Sequence, residues 1–256
     1  MKTKKLIYAL LSLLIFSSCN KDDDNLNLND ITSENIPDEI FFQYLLDRFD
    51  ANKDGKLSQE EANAVKEINF SEGFLRVSVQ GIQFFKNLER LTLKYIAAGD
   101  TLNLSANTAL LYLDCSNSWF ETINITSCKA LEFLNISNTN IESININENK
   151  ALKVLDCSKG QYNSPPYKKI KKMNVSGNTA LKILNCSYNE IDVLDLSNNP
   201  LLEILNCSYN EIEELDLANN PLLELLHCQN NRLTRINISQ NPELKDLNIT
   251  DNEIAF

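Results

Sequence analysis

"LNCSYNEI" occupies residues 184–191 and returns, letter for letter, at 205–212. One further step of the same length gives "LHCQNNRL" at 226–233. Working outward, the spacing takes in "KALEFLNISNTNIESININEN" from Lys129, "TALLYLDCSNSWFETINITSC" from Thr108 and "KNLERLTLKYIAAGDTLNLSAN" from Lys86. A longer unit runs from Lys150 to Asn178, and a partial one, "PELKDLNITDNEIAF", ends the chain. The shared pattern is L-x-x-L-x-C-S-x-N-x-I-x-x-L-x-L-S-x-N. A sustained period of this size marks stacked units, none of which can bury its apolar side alone. In the coil from 181, Leu181, Leu184, Cys186, Ile191, Leu194 and Leu196 point inward. Seven or eight coils, with parallel strands about 4.8 Å apart, predict a core on the order of 35 Å long.

These columns resemble the leucine-rich repeat family, in a short bacterial class of twenty-one residues, over about residues 75–256. The resemblance implies a right-handed, parallel β solenoid with short turns. Each coil carries two extended stretches, such as "ILNCS" and "VLDLS", which predict one sheet and a second, less regular one opposite. The segment before the repeats is similar in layout to the cap of internalins. Asparagine makes the turns: Asn189, Asn210, Asn231 and Asn252 form one column, and Asn107, Asn149, Asn178, Asn199, Asn220 and Asn241 another. An inward amide can satisfy backbone groups of its own and neighbouring coils.

Five of the seven cysteines, Cys115, Cys157, Cys186, Cys207 and Cys228, share one inward column with Leu93, Ile136 and Ile249. A position that takes Cys, Ile or Leu selects size and apolarity, so buried free thiols are expected. Sulfurs in a row cannot converge tetrahedrally on one metal ion. Disulfides between adjacent coils are the alternative, disfavoured because in-register parallel strands keep their Cβ atoms about 4.8 Å apart. Cys128 falls in the second asparagine column.

Ahead of the repeats, "DANKDGKLSQEE" (residues 50–61) has the order of an EF-hand loop. Asp50, Asn52 and Asp54 supply alternating oxygens, Gly55 the sharp turn, Lys56 a carbonyl, Ser58 a direct or water-borne oxygen, and Glu61 a bidentate carboxylate. The expected cofactor is one structural calcium ion in a helix-loop-helix cap over 35–74. The rival is a metal-free turn with Ser58 and Glu61 as a capping box.

The first eighteen residues read as a secretory signal: basic Lys2, Lys4 and Lys5, then an apolar stretch too short to span comfortably. "LIFSSC" resembles a bacterial lipoprotein box, which implies acylation of Cys19. An acidic disordered tether follows over 19–34. Its "NKDDDN" is similar to tethers of surface-exported lipoproteins, so an outer-membrane, surface-exposed location is expected, the periplasmic face being the alternative.

A formal charge of −11 disfavours nucleic acid and anionic lipid head groups as partners. One histidine, no glycine-rich phosphate loop and no convergent acid pair leave no basis for an enzyme. The outward column Tyr112, Phe133, Val154, Ile183, Ile204 and Leu225 is apolar where a solenoid face should be wet. Such a stripe marks a protein or peptide partner, or else self-association or cover. A glycan-binding accessory lipoprotein of a nutrient-uptake system is the alternative function. Residues 159–172, "KGQYNSPPYKKIKK", read as a basic surface insertion carrying Lys159, Lys168, Lys169, Lys171 and Lys172. Asp100-Thr101-Leu102 weakly resembles an O-glycosylation acceptor.

Overall fold

The computed structural model describes residues 30–71, 73, 76–97, 101–160 and 168–254. The leader, Cys19, most of the tether, Asp100 and residues 161–167 of the insertion lie outside them. In chain order the elements are β1 (Asp30–Ile31), α1 (Glu39–Phe49), β2 (Leu57–Ser58), α2 (Gln59–Ala64) and β3 (Glu67–Asn69). A 3-10 turn (Ile82–Phe84) leads to β4 (Arg90–Thr92), β5 (Thr101–Asn103), β6 (Tyr112–Asp114), β7 (Thr122–Asn124) and β8 (Phe133–Asn135). Then come β9 (Val154–Asp156), β10 (Ile183–Asn185), β11 (Ile204–Asn206), β12 (Leu225–His227) and β13 (Asp246–Asn248).

Among the described residues, nine strands form one parallel sheet in the order β3, β4, β6, β8, β9, β10, β11, β12, β13. Register follows the repeat: Ile183 sits opposite Ile204, which sits opposite Leu225. The longer fourth unit keeps register too, Val154 pairing with Ile183, so its extra residues leave the ladder intact. The sheet starts at β3, earlier than the repeat pattern in the sequence. The opposite side is less regular than two strands per coil predicts, since only β5 and β7 pair there among the described residues. The hydroxyls of Thr101 and Thr122 bond at 2.6 Å, whereas later coils carry Val193, Glu214 and Arg235 in that column, the last two meeting only as an exposed ion pair at 3.4 Å.

One continuous core runs from Ile31 to Leu233 and takes in the leucine, isoleucine and cysteine columns. At its N-terminal end α1 is capped by Asp38, whose carboxylate accepts from the Ile40 and Phe41 amides. The helix buries Phe41, Tyr44 and Leu45, spaced to lie on one face. Phe41 and Tyr44 both meet Phe70 edge-on, and the Tyr44 hydroxyl donates to Asn69 O at 2.6 Å, seating the helix on β3.

Both asparagine columns are buried turn-makers, but they work differently. Asn210 Nδ2 donates to the carbonyls of Cys186 and Cys207 at 3.0 Å, while its Oδ1 accepts from Ile191 N. Asn189 and Asn231 repeat this arrangement. In the other column Asn199 Nδ2 donates to Val175 O and Asn178 O, and its Oδ1 has no partner. Cys128 fills that column with a thiol aimed at the equivalent carbonyls, Leu104 O at 3.4 Å and Asn107 O at 3.5 Å.

A third turn column is left-handed: Asn117, Asn138, Tyr188, Tyr209, Asn230 and Asp251 have φ between 54° and 59°. Asn and Asp tolerate this region, whereas tyrosine is strained by about 1 kcal/mol or more. The parallel stacking of Tyr188 on Tyr209, with centroids 4.1 Å apart, offsets that cost.

Lys159 corrects the sequence reading. It is 4% exposed, not a surface lysine of the insertion. It directly follows Cys157-Ser158, so its backbone is still on the coil, donating N–H to Ser187 O. Gly160 stands where other coils have the inward asparagine, and the Lys159 ammonium fills the space. It donates to Thr139 O at 2.9 Å and lies 3.4 Å from Thr139 Oγ1 and 3.5 Å from Ile141 O. Burial lowers its pKa to about 8.

Candidate interaction face

In a three-residue strand the central side chain points into the core and its two neighbours point out. Leu134, Leu155, Leu184 and Leu205 are fully buried, which leaves Phe133, Val154, Ile183 and Ile204 in register on the outer face. Tyr112 and Leu225 extend the row in the same register. All six are half-buried, each shielded by the next along the column. Tyr112 stacks on Phe133 (centroids 4.3 Å apart, planes 8° apart), and the Arg90 guanidinium lies 4.0 Å over the outer side of the Tyr112 ring system. From Phe133 to Leu225 the row lines an open groove of about 360 Å³.

Two polar rows border the groove. On one side ion pairs alternate along the ladder: Lys153–Glu132 at 2.9 Å, Lys182–Glu203 at 2.7 Å and Lys245–Glu224 at 3.0 Å. On the other side stand Asp114, Asn135, Asp156, Asn185, Asn206 and His227. Asp114, Asp156, Asn185 and Asn206 each accept from the hydroxyl of the serine two residues on, so the serine column is tied down. Asp114 is buried and meets Lys94 at 2.8 Å, a bond that raises the lysine's pKa. Burial and the same carboxylate push the Tyr112 phenol up. That cluster was not foreseen, because nothing in the repeat pattern marks Lys94. Of the insertion's lysines, Lys168 faces Glu121 at 4.0 Å while Lys169 and Lys171 share Glu190 at 4.0 and 3.5 Å.

All six described cysteines are free and buried. Burial raises each thiol pKa, to about 11 for Cys128 and about 12 for Cys157 and Cys228. Thiols so protonated are poor nucleophiles and poor metal ligands.

In the segment Asp50–Glu61 the loop is folded by its own amides. Asp50 accepts from Lys53 N at 2.7 Å and Gly55 N at 2.8 Å, and Asp54 accepts from Lys56 N at 2.9 Å. Gly55 takes φ +80°. Glu61 reaches back to Ser58 N and Ala51 N, both at 2.8 Å, and these bonds lower its pKa. Ser58 and Glu61 form a capping box. Among the described residues no three His, Cys, Asp or Glu side chains gather at metal-binding spacing.

A second cleft, of about 610 Å³, lies where the 3-10 turn meets β5, lined by Gln80, Gln83, Leu102, Asn103 and Phe120. It gathers no titratable side chain.

No protein-family model matches the sequence, and no curated protein does. Among solved structures, the functional domain of InlJ from Listeria monocytogenes, which includes a cysteine ladder, matches with a TM-score of 0.76 at 27% identity. The match covers 87% of this chain and 47% of that one, so this chain spans about half its length. The solenoid is of the leucine-rich repeat type. Internalin C2 from Listeria monocytogenes matches at a TM-score of 0.62 and 18% identity, over 88% of each chain. An internalin, InlF, from the same organism matches at 0.52 and 19%, over 87% of this chain and 78% of that one. These last two share the fold alone. A leucine-rich repeat fold names no ligand; what it binds is set by the side chains of its face.

Proposed function

We propose that this chain is a cell-envelope-anchored, non-enzymatic leucine-rich repeat lipoprotein that binds a protein or peptide partner through the outer face of its nine-stranded sheet. The carrying observation is the in-register apolar row, Tyr112, Phe133, Val154, Ile183, Ile204 and Leu225, along an open groove. Internalin-type neighbours, built on the same solenoid, support an interaction role. Acylation at Cys19 would hold the protein to the outer membrane, surface-exposed. Glycan binding is less well served, because a sugar needs a free ring face and Tyr112 lies between Arg90 and Phe133. Replacing Phe133 and Ile183 together by Asp is expected to weaken partner capture by cross-linking on intact cells on the order of a hundredfold. Circular dichroism should not change. Equal capture by the variant sinks the assignment.

Calcium is part of the same proposal. Asp50, Asn52, Asp54, Ser58, Glu61 and the Lys56 carbonyl supply only oxygens, in the order a calcium loop requires. Bound there, the ion would neutralise carboxylates that otherwise repel. The loop's Leu57 pairs with Ile31 of β1, and Lys56 meets Asp30 at 3.5 Å. Calcium would thereby brace the point at which the tether joins the fold. Saturation at a hundred times Kd is worth about 2.7 kcal/mol, or roughly 8 °C in melting temperature. Glu61→Gln keeps an oxygen for the capping box but removes the bidentate carboxylate. Its melting temperature should be the same in calcium and in chelator. A wild type that ignores calcium leaves only the capping box.

A further inference from the structure

Among the described residues, acidic side chains bordering the groove each meet a basic side chain within 4.0 Å, with one exception. Glu132, Glu203 and Glu224 each hold a lysine, Asp114 holds Lys94, and His227 sits 3.2 Å from Asp246. Asp156, midway along the polar row, makes no direct ion pair among the described residues; the buried Lys159 ammonium, tied to Thr139 O, acts on it without a hydrogen bond. Its Oδ1 accepts from Ser158 N at 2.9 Å and from Ser158 Oγ at 2.6 Å. Its Oδ2 accepts only a long bond from Asn185 Nδ2, at 3.3 Å. The turn does not need a carboxylate, because Asn185 and Asn206 make the same pair of bonds to Ser187 and Ser208. Asp156 is half-buried and lines the groove beside Val154, Phe133 and Ile183.

We propose that the occupant of this groove is a segment of another protein carrying an arginine or lysine between apolar residues. The cation is set against Asp156 Oδ2, and the apolar side chains lie on Val154, Ile183 and Ile204. This rests on the docking role proposed above for the same face. An ion pair formed there gains strength as the apolar walls expel water. Arginine suits the position best, since its planar guanidinium can bond the carboxylate while its methylene stem lies along the apolar row. The chain's charge of −11 steers basic segments toward it and opposes a second copy of itself.

A display library of random dodecamer peptides, panned against the full chain, tests this. Wild type is expected to enrich peptides with a basic residue flanked by apolar ones. Phe133→Asp/Ile183→Asp should lose them, and Asp156→Asn should lose the basic preference only. For one selected peptide, Asp156→Asn and Arg→norleucine in the peptide should each weaken binding about tenfold, and together no further. Peptides that depend on Phe133 and Ile183 but carry no basic residue, or bind Asp156→Asn equally well, overturn the Asp156 assignment and leave the docking face standing. No peptide that depends on Phe133 and Ile183 overturns both. A protein that sediments as a dimer, and as a monomer after Phe133→Asp, puts a second copy in the groove and overturns the proposed occupant.

Discussion

Raising the pH from about 8 to about 10 under reducing conditions is expected to lower the folding free energy by about 6 kcal/mol, a large share of a typical domain's stability. The six described thiols are buried, and burial raises each pKa, to about 11 for Cys128, about 12 for Cys157 and Cys228, and well above the usual value for Cys186 and Cys207. Unfolded, each ionises near pH 9. A group whose folded pKa is raised keeps its stability below the unfolded value and loses it as pH climbs toward the folded one. Each thiol therefore costs about 1.4 kcal/mol for a pH unit above about 9, and six cost on the order of 8 kcal/mol.

Lys159 acts in the opposite direction. Its folded pKa of about 8 lies below the unfolded value, so its burial penalty is full below pH 8 and is relieved as pH rises toward 10.5. That returns roughly 2 kcal/mol by pH 10, too little against six thiols. Urea unfolding at the two pH values measures the net. Replacing Cys186 and Cys207 by valine, close in size to the Ile136 that stands in their column, should preserve about 3 kcal/mol more stability at pH 10. An identical pH dependence in wild type and this variant would show that the thiols do not govern alkaline unfolding.

The same cysteines show what the sequence could and could not tell. Their column was legible because Ile136 occupies it, and a site indifferent to sulfur is a packing site. The register of the sheet was legible because the period fixes it, even across the fourth unit. Lys159 was hidden by its neighbours: "KGQYNSPPYKKIKK" reads as one basic loop, and a lysine is almost never buried without partners. The available signal was position, since Lys159 aligns with Tyr188 and so precedes the insertion. The left-handed column was obscured where tyrosine replaces asparagine. The six-residue apolar row was legible, but the ion pairs beside it were not, because they form between coils. That pairing is what leaves Asp156 distinct.

Asn199→Ala is expected to cost about 3 kcal/mol, far more than removing an amide from a surface turn. Asn199 Nδ2 is the donor to Val175 O at 3.0 Å and Asn178 O at 2.9 Å, so alanine leaves two buried carbonyls without it. Asn199→Asp should cost more still, although it is nearly the same size. It replaces the donor with a second oxygen facing those carbonyls. The Oδ1 of Asn107, Asn149, Asn178, Asn199, Asn220 and Asn241 lacks a partner in every coil, so the column uses only the amino half of the amide. Serine or threonine offers one donor, and the Cys128 thiol offers one weak one to two carbonyls. Cys128→Asn should therefore stabilise the protein by about 1 kcal/mol. Chemical denaturation of the three variants checks the set. If Asn199→Ala and Asn199→Asp both stay within about 0.5 kcal/mol of wild type, water rather than asparagine satisfies the turn.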